Sequence, residues 1–350
     1  MEENVNCKDN NGFYQTSPMQ KRIYASCKMN PNATDYNITQ GIFIHHAINK
    51  ESLTLACTKL IRDYEALRTS FHMVDGELMQ RIDHPWEPSV IFSEAKDNFD
   101  LDNLIDNFSS NFDFAHGRLI RFMLVQISNE HYCLVIDAHH IIVDGISMVV
   151  LFKQVIGGLN GLGEPVSIVQ PKDVYLKNEK DLKERIQRYR DYWLPIFKNE
   201  IPTIDLPFDY PLNIGTTSKA RRCEKVLSSE ISGLIENVSE KYNVTSFVVF
   251  LAAFHILLHK STGQDDIVIG IPTAGRKGKE QKEAVGLFIN TIPFRMTYSG
   301  DITISKMLHD ISRQFRYALT YQNYPFDELI TKLALKKDPN RNFFFDVMFS

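Results

Sequence analysis

Two adjacent histidines, His139 and His140, are followed at short spacing by Asp144 and Gly145. Histidine is the side chain whose ordinary pKa lies nearest neutrality, so a fixed imidazole is a usable proton acceptor at physiological pH. A carboxylate one helical turn further on can organise such a loop, and a glycine leaves the backbone open to a ligand. The pattern points to a positioned base acting on an N–H or O–H nucleophile. A single histidine beside an apolar strand is more often a hydrogen-bonded structural residue, and the chain carries its own comparison. His45 and His46 follow the apolar run Ile42-Phe43-Ile44 with no Asp-Gly behind them. That pair reads as strand residues, one buried and one solvated.

The elements around the motif follow from periodicity. The apolar run 132–136 before the histidines predicts a strand, and the run after Gly145 predicts a helix to about residue 156, with the histidines on the tight loop between them. Upstream, the pattern predicts a helix over 15–27, entered at Ser17-Pro18 in the manner of an N-cap with proline in the first turn. A strand at 36–47 and an amphipathic helix at 50–64 come next, the helix with Leu53, Ala56, Cys57, Leu60 and Ile61 on one face. Strands at 69–74 and 77–82 flank the hairpin signal Asp75-Gly76. A helix at 101–112 and strands at 119–127 and 131–136 complete the first half.

Beyond the histidine loop, the glycine-rich stretch 157–163 follows a helix and lacks a Gly-Lys-Ser/Thr ending, so it reads as a linker instead of a phosphate cradle. A charged helix at 172–197 bridges to a second half. There the pattern predicts a strand at 220–227, helices at 229–242 and 245–261, strands at 266–271 and 287–296, a helix at 304–321 and a strand at 343–349. The fold class is α+β, an α/β sandwich built on mixed sheets. Two halves of similar element content divide the chain into lobes at 1–170 and 171–350.

Other candidate sites are weaker. His255 and His259 stand four apart on an apolar helix, but Ile256-Leu257-Leu258 between them supplies no glutamate base, so both read as structural and no metal site is expected. No Gly-x-Ser-x-Gly elbow is present. The basic loop from Arg276 to Lys279 reads, on its own, as a solvated turn.

Composition narrows the classes. The chain has 350 residues, 43% hydrophobic and 23% charged, which suits a globular protein with a sizeable core. A net charge of −4 gives no electrostatic case for nucleic acid. The first residues lack the basic and apolar regions of a secretory signal. The apolar run 247–258 is broken by His255 and too short to span a bilayer, so no membrane association is expected. Five cysteines, widely spaced and without a Cys-x-x-Cys pair, suit reduced thiols and a cytoplasmic location. The three Asn-x-Ser/Thr sequons then carry no meaning.

An ordered series of blocks resembles the condensation domains of nonribosomal peptide synthetases, within the chloramphenicol-acetyltransferase-like superfamily. The histidine loop matches that family's His-His-x-x-x-Asp-Gly. Ser17-Pro18-Met19-Gln20-Lys21-Arg22-Ile23-Tyr24 resembles its opening block, and Glu65-Ala66-Leu67-Arg68-Thr69-Ser70-Phe71 the next, although Asp63-Tyr64 replaces the usual Arg-His. The stretch from Val285 to Arg295, containing Gly286-Leu287-Phe288-Ile289-Asn290-Thr291, is similar to the Gly-x-Phe-x-Asn-Thr block. Tyr324-Pro325-Phe326-Asp327 and the stretch from Arg341 to Phe349 resemble the last two.

The resemblance implies two acetyltransferase-like lobes forming a V around a central tunnel. It implies an acyltransferase that joins a donor acyl or peptidyl thioester to the α-amine of an acceptor aminoacyl thioester. Both substrates would arrive on the phosphopantetheine arms of donor and acceptor peptidyl carrier proteins, with adjacent synthetase domains such as adenylation as further partners and no cofactor bound by the chain itself. His140 would accept or orient the amine proton, and His139 would pack beneath the loop. Asp144 would pair with an arginine, Arg276 being the matching position and Arg68 another possible neighbour. Gly145 would leave room for the pantetheine arm, its N–H facing the developing oxyanion, while Asn290 and Ser147 would line the tunnel. The family continues past the last block, so the chain reads as C-terminally truncated with an exposed sheet edge. Two other readings stay open: a stand-alone acyltransferase using a soluble thioester and an alcohol or amine, and an inactive fragment that only docks carrier proteins.

Overall fold

The computed structural model describes residues 12–31, 33–95, 100–161, 168–209, 222–298, 301–335 and 341–350. The chain forms two compact units. The first comprises Met1–Asp181 together with Arg276–Ile289, and the second Leu182–Gly275 with Asn290–Ser350.

In the first unit β1 (Phe13–Gln15) leads into α1 (Pro18–Met29), β2 (Asn37–Ile44) and α2 (Lys50–Asp63). The hairpin of β3 (Thr69–Val74) and β4 (Glu77–Ile82) follows, then β5 (Val90–Glu94), α3 (Leu101–Phe108), β6 (Ile120–Gln126), β7 (Tyr132–His139) and α4 (Gly145–Leu159). The helix α5 (Pro171–Phe197) begins in this unit and continues past Asp181 into the second. Asp75 and Gly76 both take positive φ, 50° and 82°, as a two-residue hairpin with a primed turn requires. Ser17 caps α1 through a capping box with Gln20.

The strands form two sheets, β1-β4-β3 and β2-β7-β6-β5, the β5–β6 pair parallel and every other pair antiparallel. Strand β7 is central and buried at every residue. Leu134, Ile136 and Ala138 face the main core with Leu53, Leu60 and Ile61 of α2 and Met148, Leu151 and Val155 of α4. Cys133 and Val135 face the other way, under Leu101, Leu104, Ile105 and Phe108 of α3. A strand covered on both faces reads as a continuous apolar run, as this one does.

The second unit contains α6 (Ser229–Tyr242), α7 (Ser246–Thr262), the antiparallel pair β8 (Asp266–Thr273) and β9 (Asn290–Thr297), α9 (Ile304–Thr320) and α10 (Phe326–Lys332); the short α8 (Gly278–Lys282) falls in the first. Its core joins Trp193 and Phe197 of α5 to Phe326 and Phe344. Gly270 donates to the Val347 carbonyl and accepts from Phe349 N–H, both at 2.9 Å, and any side chain at Gly270 would collide with the Phe345 ring.

Several expectations need correction. Helix α4 runs to Leu159 and absorbs the first three residues of the glycine-rich stretch, because Gly158 lets it close on Ala56; residues 162 and 163 lie outside the described residues. Of the strand expected at 220–227, residues 222–227 are exposed and form no strand while 220 and 221 lie outside the described residues, and 343–349 contributes an isolated parallel bridge to Gly270 in place of a full strand. The strand expected from 287 begins at Asn290, since the backbone of 286–288 is bonded to first-unit side chains. For the same reason residues 276–289 belong with the first unit, and the units divide at 181/182, not 170/171. His45 and His46 lie past the end of β2 and are both exposed, His45 meeting His131 edge-to-face at 5.1 Å.

Candidate active site

Strand β7 ends at His139 and the chain turns at once. Backbone N–H groups of His139 and His140 donate to the carbonyls of Leu119 (3.0 Å) and Tyr36 (2.7 Å), and Ile142 N–H returns to His139 O at 3.0 Å. Ile141, Ile142 and Val143 are buried in the main core, so the turn is anchored by its own apolar residues. Asp144 is then the N-cap of α4, its carboxylate accepting from Ser147 N–H at 2.8 Å.

The half-buried His140 has its Nδ1 2.8 Å from the Val143 carbonyl. A carbonyl only accepts, so Nδ1 carries the hydrogen and Nε2 of the neutral ring is an acceptor. Nε2 has no hydrogen-bond partner among the described residues. At the start of α4, Gly145 is exposed, and a Cβ built there would meet nothing within 4 Å. The cap serves Ser147, which leaves the N–H groups of Gly145 and Ile146 without a partner among the described residues. The turn thus carries an acceptor nitrogen and, five residues on, a helix N-terminus: one suits a proton leaving a nucleophile, the other an oxygen gaining negative charge.

His139 is buried beneath the loop. Its Nδ1 accepts from Ile141 N–H at 3.1 Å and its Nε2 faces the Cys27 thiol at 3.6 Å. Burial, with the neighbouring His140 second, pushes its pKa from 6.5 down to about 3. It is a neutral brace.

Asp144 and Arg276 form an ion pair at 2.7 Å, both side chains almost wholly buried. The Asp144 Oδ1 also accepts from Ser147 Oγ at 2.8 Å, and Oδ2 from Phe288 N–H at 3.1 Å. Arg276 Nη1 donates to the carbonyls of Gln281 (2.6 Å) and Ala284 (2.7 Å), and the guanidinium stacks 4.3 Å over the Phe288 ring. Asp144 makes no hydrogen bond to His140 among the described residues, so its work here is the shape of the loop.

Two expectations fail at this point. Arg68 does not approach Asp144; it donates to the Asp83 carbonyl at 2.7 Å and lies 3.9 Å from Glu65. Ser147 is completely buried and lines no open surface, because its hydroxyl bridges Asp144, Arg276 Nη2 (2.9 Å), Gly286 O (2.9 Å) and Gly286 N–H (3.0 Å). Asn290 belongs to the second unit, where its amide donates to the Gln322 carbonyl and accepts from Thr291 N–H.

Gln20 escaped sequence reasoning. Buried at 4% exposure, it donates from Nε2 to the Ile141 carbonyl at 3.3 Å while its Oε1 takes the Ser17 N–H at 2.8 Å. The capping-box spacing of Ser17 and Gln20 was the available signal, but it says nothing of a reach to a loop 121 residues away. Tyr175 was also missed; its hydroxyl donates to the Leu287 carbonyl. A small pocket behind the loop is lined by Gln20, Gln80, Glu65, Lys172, Tyr175 and Ile142, among others. His255 is fully buried, while His259 contacts the Gln264 carbonyl (3.0 Å) and Asp265 (3.3 Å). Among the described residues no three or more His, Cys, Asp or Glu side chains group as metal ligands.

Mixed sheets flanked by helices thus carry a histidine at a strand end and, beyond it, an arginine-paired aspartate. The solved condensation domain of the monacolin K polyketide synthase superposes with a TM-score of 0.84 at 19% identity, covering 96% of this chain and 80% of that one. A four-domain nonribosomal peptide synthetase bound to AMP and glycine gives 0.84 at 23% identity, covering 96% and 26%. The family model for the condensation domain matches residues 10–350, and the chain belongs to that family. Among curated relatives, bacitracin synthase 3 of Bacillus licheniformis is 33% identical over 340 residues, and gramicidin S synthase 2 of Brevibacillus brevis 31% over 338. Each match covers 96% of this chain but only 5% and 8% of those relatives.

Proposed function

We propose that this chain catalyses amide-bond formation between two carrier-bound thioesters, one a donor acyl or peptidyl group and the other an aminoacyl acceptor. The observation that carries the reading is the fixed tautomer of His140: with Nδ1 committed to Val143, Nε2 can only accept. The acceptor's α-amine attacks the donor carbonyl as Nε2 takes or orients the amine proton. The tetrahedral oxyanion is held by the N–H groups at the start of α4; its collapse breaks the C–S bond, and the departing sulfur takes the amine proton to leave as the donor thiol. Because a free α-amine is partly neutral near pH 7, holding it against the carbonyl contributes alongside basicity.

The phosphopantetheine arms belong to the carrier proteins, which with neighbouring synthetase domains are the partners this reading requires. Membership of the condensation family supports that assignment. The two compact units are read as the two acetyltransferase-like lobes. A cytoplasmic location accords with the free cysteines Cys27, Cys57, Cys133 and Cys223. Among the described residues no single helix is long and apolar enough to cross a membrane.

The test is intact-mass detection of chain transfer between two aminoacyl-loaded carrier proteins, with wild type beside His140→Ala. A mass gain on the acceptor carrier that falls roughly 10²–10⁴-fold in the variant is expected. Equal transfer by a folded His140→Ala protein would falsify the role of His140. Transfer from coenzyme A thioesters without any carrier protein would point to the stand-alone acyltransferase instead.

A further inference from the structure

The face of β7 that bears His139 also bears Asp137, two residues earlier. Asp137 is completely buried. Its Oδ1 accepts from Thr39 Oγ1 at 2.9 Å and its Oδ2 from Asn37 Nδ2 at 3.4 Å, while Arg121 Nη1 lies 3.2 Å from Oδ2. Thr39 and Arg121 are its register partners on the two flanking strands, so the cluster sits across the middle of the sheet. Burying a carboxylate there is costly unless it is paired, and the residues that pair it have second tasks.

Arg121 reaches into the segment that follows α3. Its Nη2 donates to the carbonyls of Ser110 (2.7 Å) and Asn111 (2.8 Å), its Nη1 bonds the Ser110 hydroxyl, and its guanidinium lies 3.8 Å over the Phe112 ring. Asn37 Nδ2 bonds the same segment at Ser109 Oγ (3.0 Å) and Ser110 O (2.9 Å). These bonds end α3 at Phe108, four residues before the apolar pattern predicts, and set Phe112 and Phe114 edge-on against His139 at 6.1 and 4.9 Å. His139 can accept from Ile141 N–H only while its Nδ1 is unprotonated, and that bond shapes the turn carrying His140.

We propose that Asp137 and Arg121 are positioning residues for His140: by clamping residues 109–114 over His139, they keep that histidine dry and neutral and so hold the turn in its working shape. The proposal rests on the condensation reading above. The groups facing His139 are Cys27 of α1 with Asp35 near it, Tyr36 before β2, Phe112 and Phe114 of the clamped segment, and His140 on its own turn. None of them carries a fixed positive charge, and the Arg121 guanidinium is paired with Asp137.

The experiment measures chain transfer between loaded carrier proteins by the intact polypeptide, as wild type, Arg121→Ala, Arg121→Lys and Phe112→Leu, over about pH 5.5–8.5, where histidine titrates. For Arg121→Ala kcat should fall roughly 10–100-fold with the acceptor KM within about twofold, as expected when a reacting group is misplaced and substrate binding is not. The acid limb of its kcat profile should move to higher pH, because a wetted His139 protonates more readily. Arg121→Lys, which keeps the charge, should recover part of the loss. Phe112→Leu should shift the same way by less, and it carries the test if Arg121→Ala does not fold. A folded variant with wild-type kcat, or one whose loss leaves the pH profile unmoved, overturns the proposal. Absence of transfer by wild type sinks the condensation reading and this proposal together, whereas an active wild type with insensitive variants sinks this one alone.

Discussion

Arg276 shows how much of this site is arginine geometry. Its fork meets a carboxylate, two carbonyls and a hydroxyl at once, and its face covers Phe288. Arg276→Ala would leave Asp144 buried without its counter-charge, a change that costs about 3–5 kcal/mol for a pair of this kind. Arg276→Lys supplies a point charge without the fork and should recover only a fraction. Ser147→Ala strands Gly286 N–H but leaves the ion pair, so it should cost less, about 1–3 kcal/mol. Urea midpoints ranked Ser147→Ala above Arg276→Lys above Arg276→Ala would agree; a Ser147→Ala protein weaker than Arg276→Ala would contradict this account of the loop. At this scale the sequence named His139, His140, Asp144 and Gly145 by type and spacing. It could not show that Ser147 is spent inside the cluster, because a serine in the first turn of a helix reads alike whether it faces solvent or a neighbouring chain segment.

At the scale of elements, α7 carries a second proton-sensitive position. His255 is fully buried with neither ring nitrogen bonded among the described residues, and it packs edge-to-face on Phe294 and Tyr298. Burial lowers its pKa from 6.5 to about 4. Above pH 6.5 neither folded nor unfolded protein binds a proton there, so this group adds no pH dependence. Between about 6.5 and 4 the unfolded chain binds the proton first, and stability falls as pH falls. His255→Phe should flatten the Tm-against-pH curve across that window, and an unchanged slope would show that other groups set it. The longer helices were legible from apolar spacing, and α2 and α6 emerged within a residue of their expected ends, whereas the short α8 and α10 were not expected. The hairpin at Asp75-Gly76 was equally legible, because local turn chemistry decides it. Strands β1 and β5 were not. One has three residues, and the other is a parallel edge strand whose pairing with β6 depends on a distant partner. The strand expected at 220–227 failed in the opposite sense, its described residues having strand-like composition and no strand partner among the described residues.

Across the whole molecule each unit has its own apolar core, one around Leu134, Ile136 and Leu151, the other around Ile269, Phe294 and Trp193. Leu134→Ala and Ile269→Ala should each cost about 2–5 kcal/mol. Hydrogen exchange should then rise within the substituted unit first, and equal loss of protection in both would show that they unfold as one. Division into two lobes was visible from element content, but the return of residues 276–289 to the first unit was not, since no local pattern marks a segment that leaves its neighbours. That return has a consequence for synthesis. Asp144 and Arg276 are 132 residues apart, so at about 5–20 residues per second the ribosome needs roughly 7–26 s to supply the arginine after the aspartate. Throughout that interval about three-fifths of the second unit emerges while the histidine turn lacks its counter-charge, and the carboxylate stays in water. Nascent chains arrested near residue 250 should therefore show the central strands protected from exchange and the 140–147 amides open, with the turn closing only after residue 289 has cleared the exit tunnel.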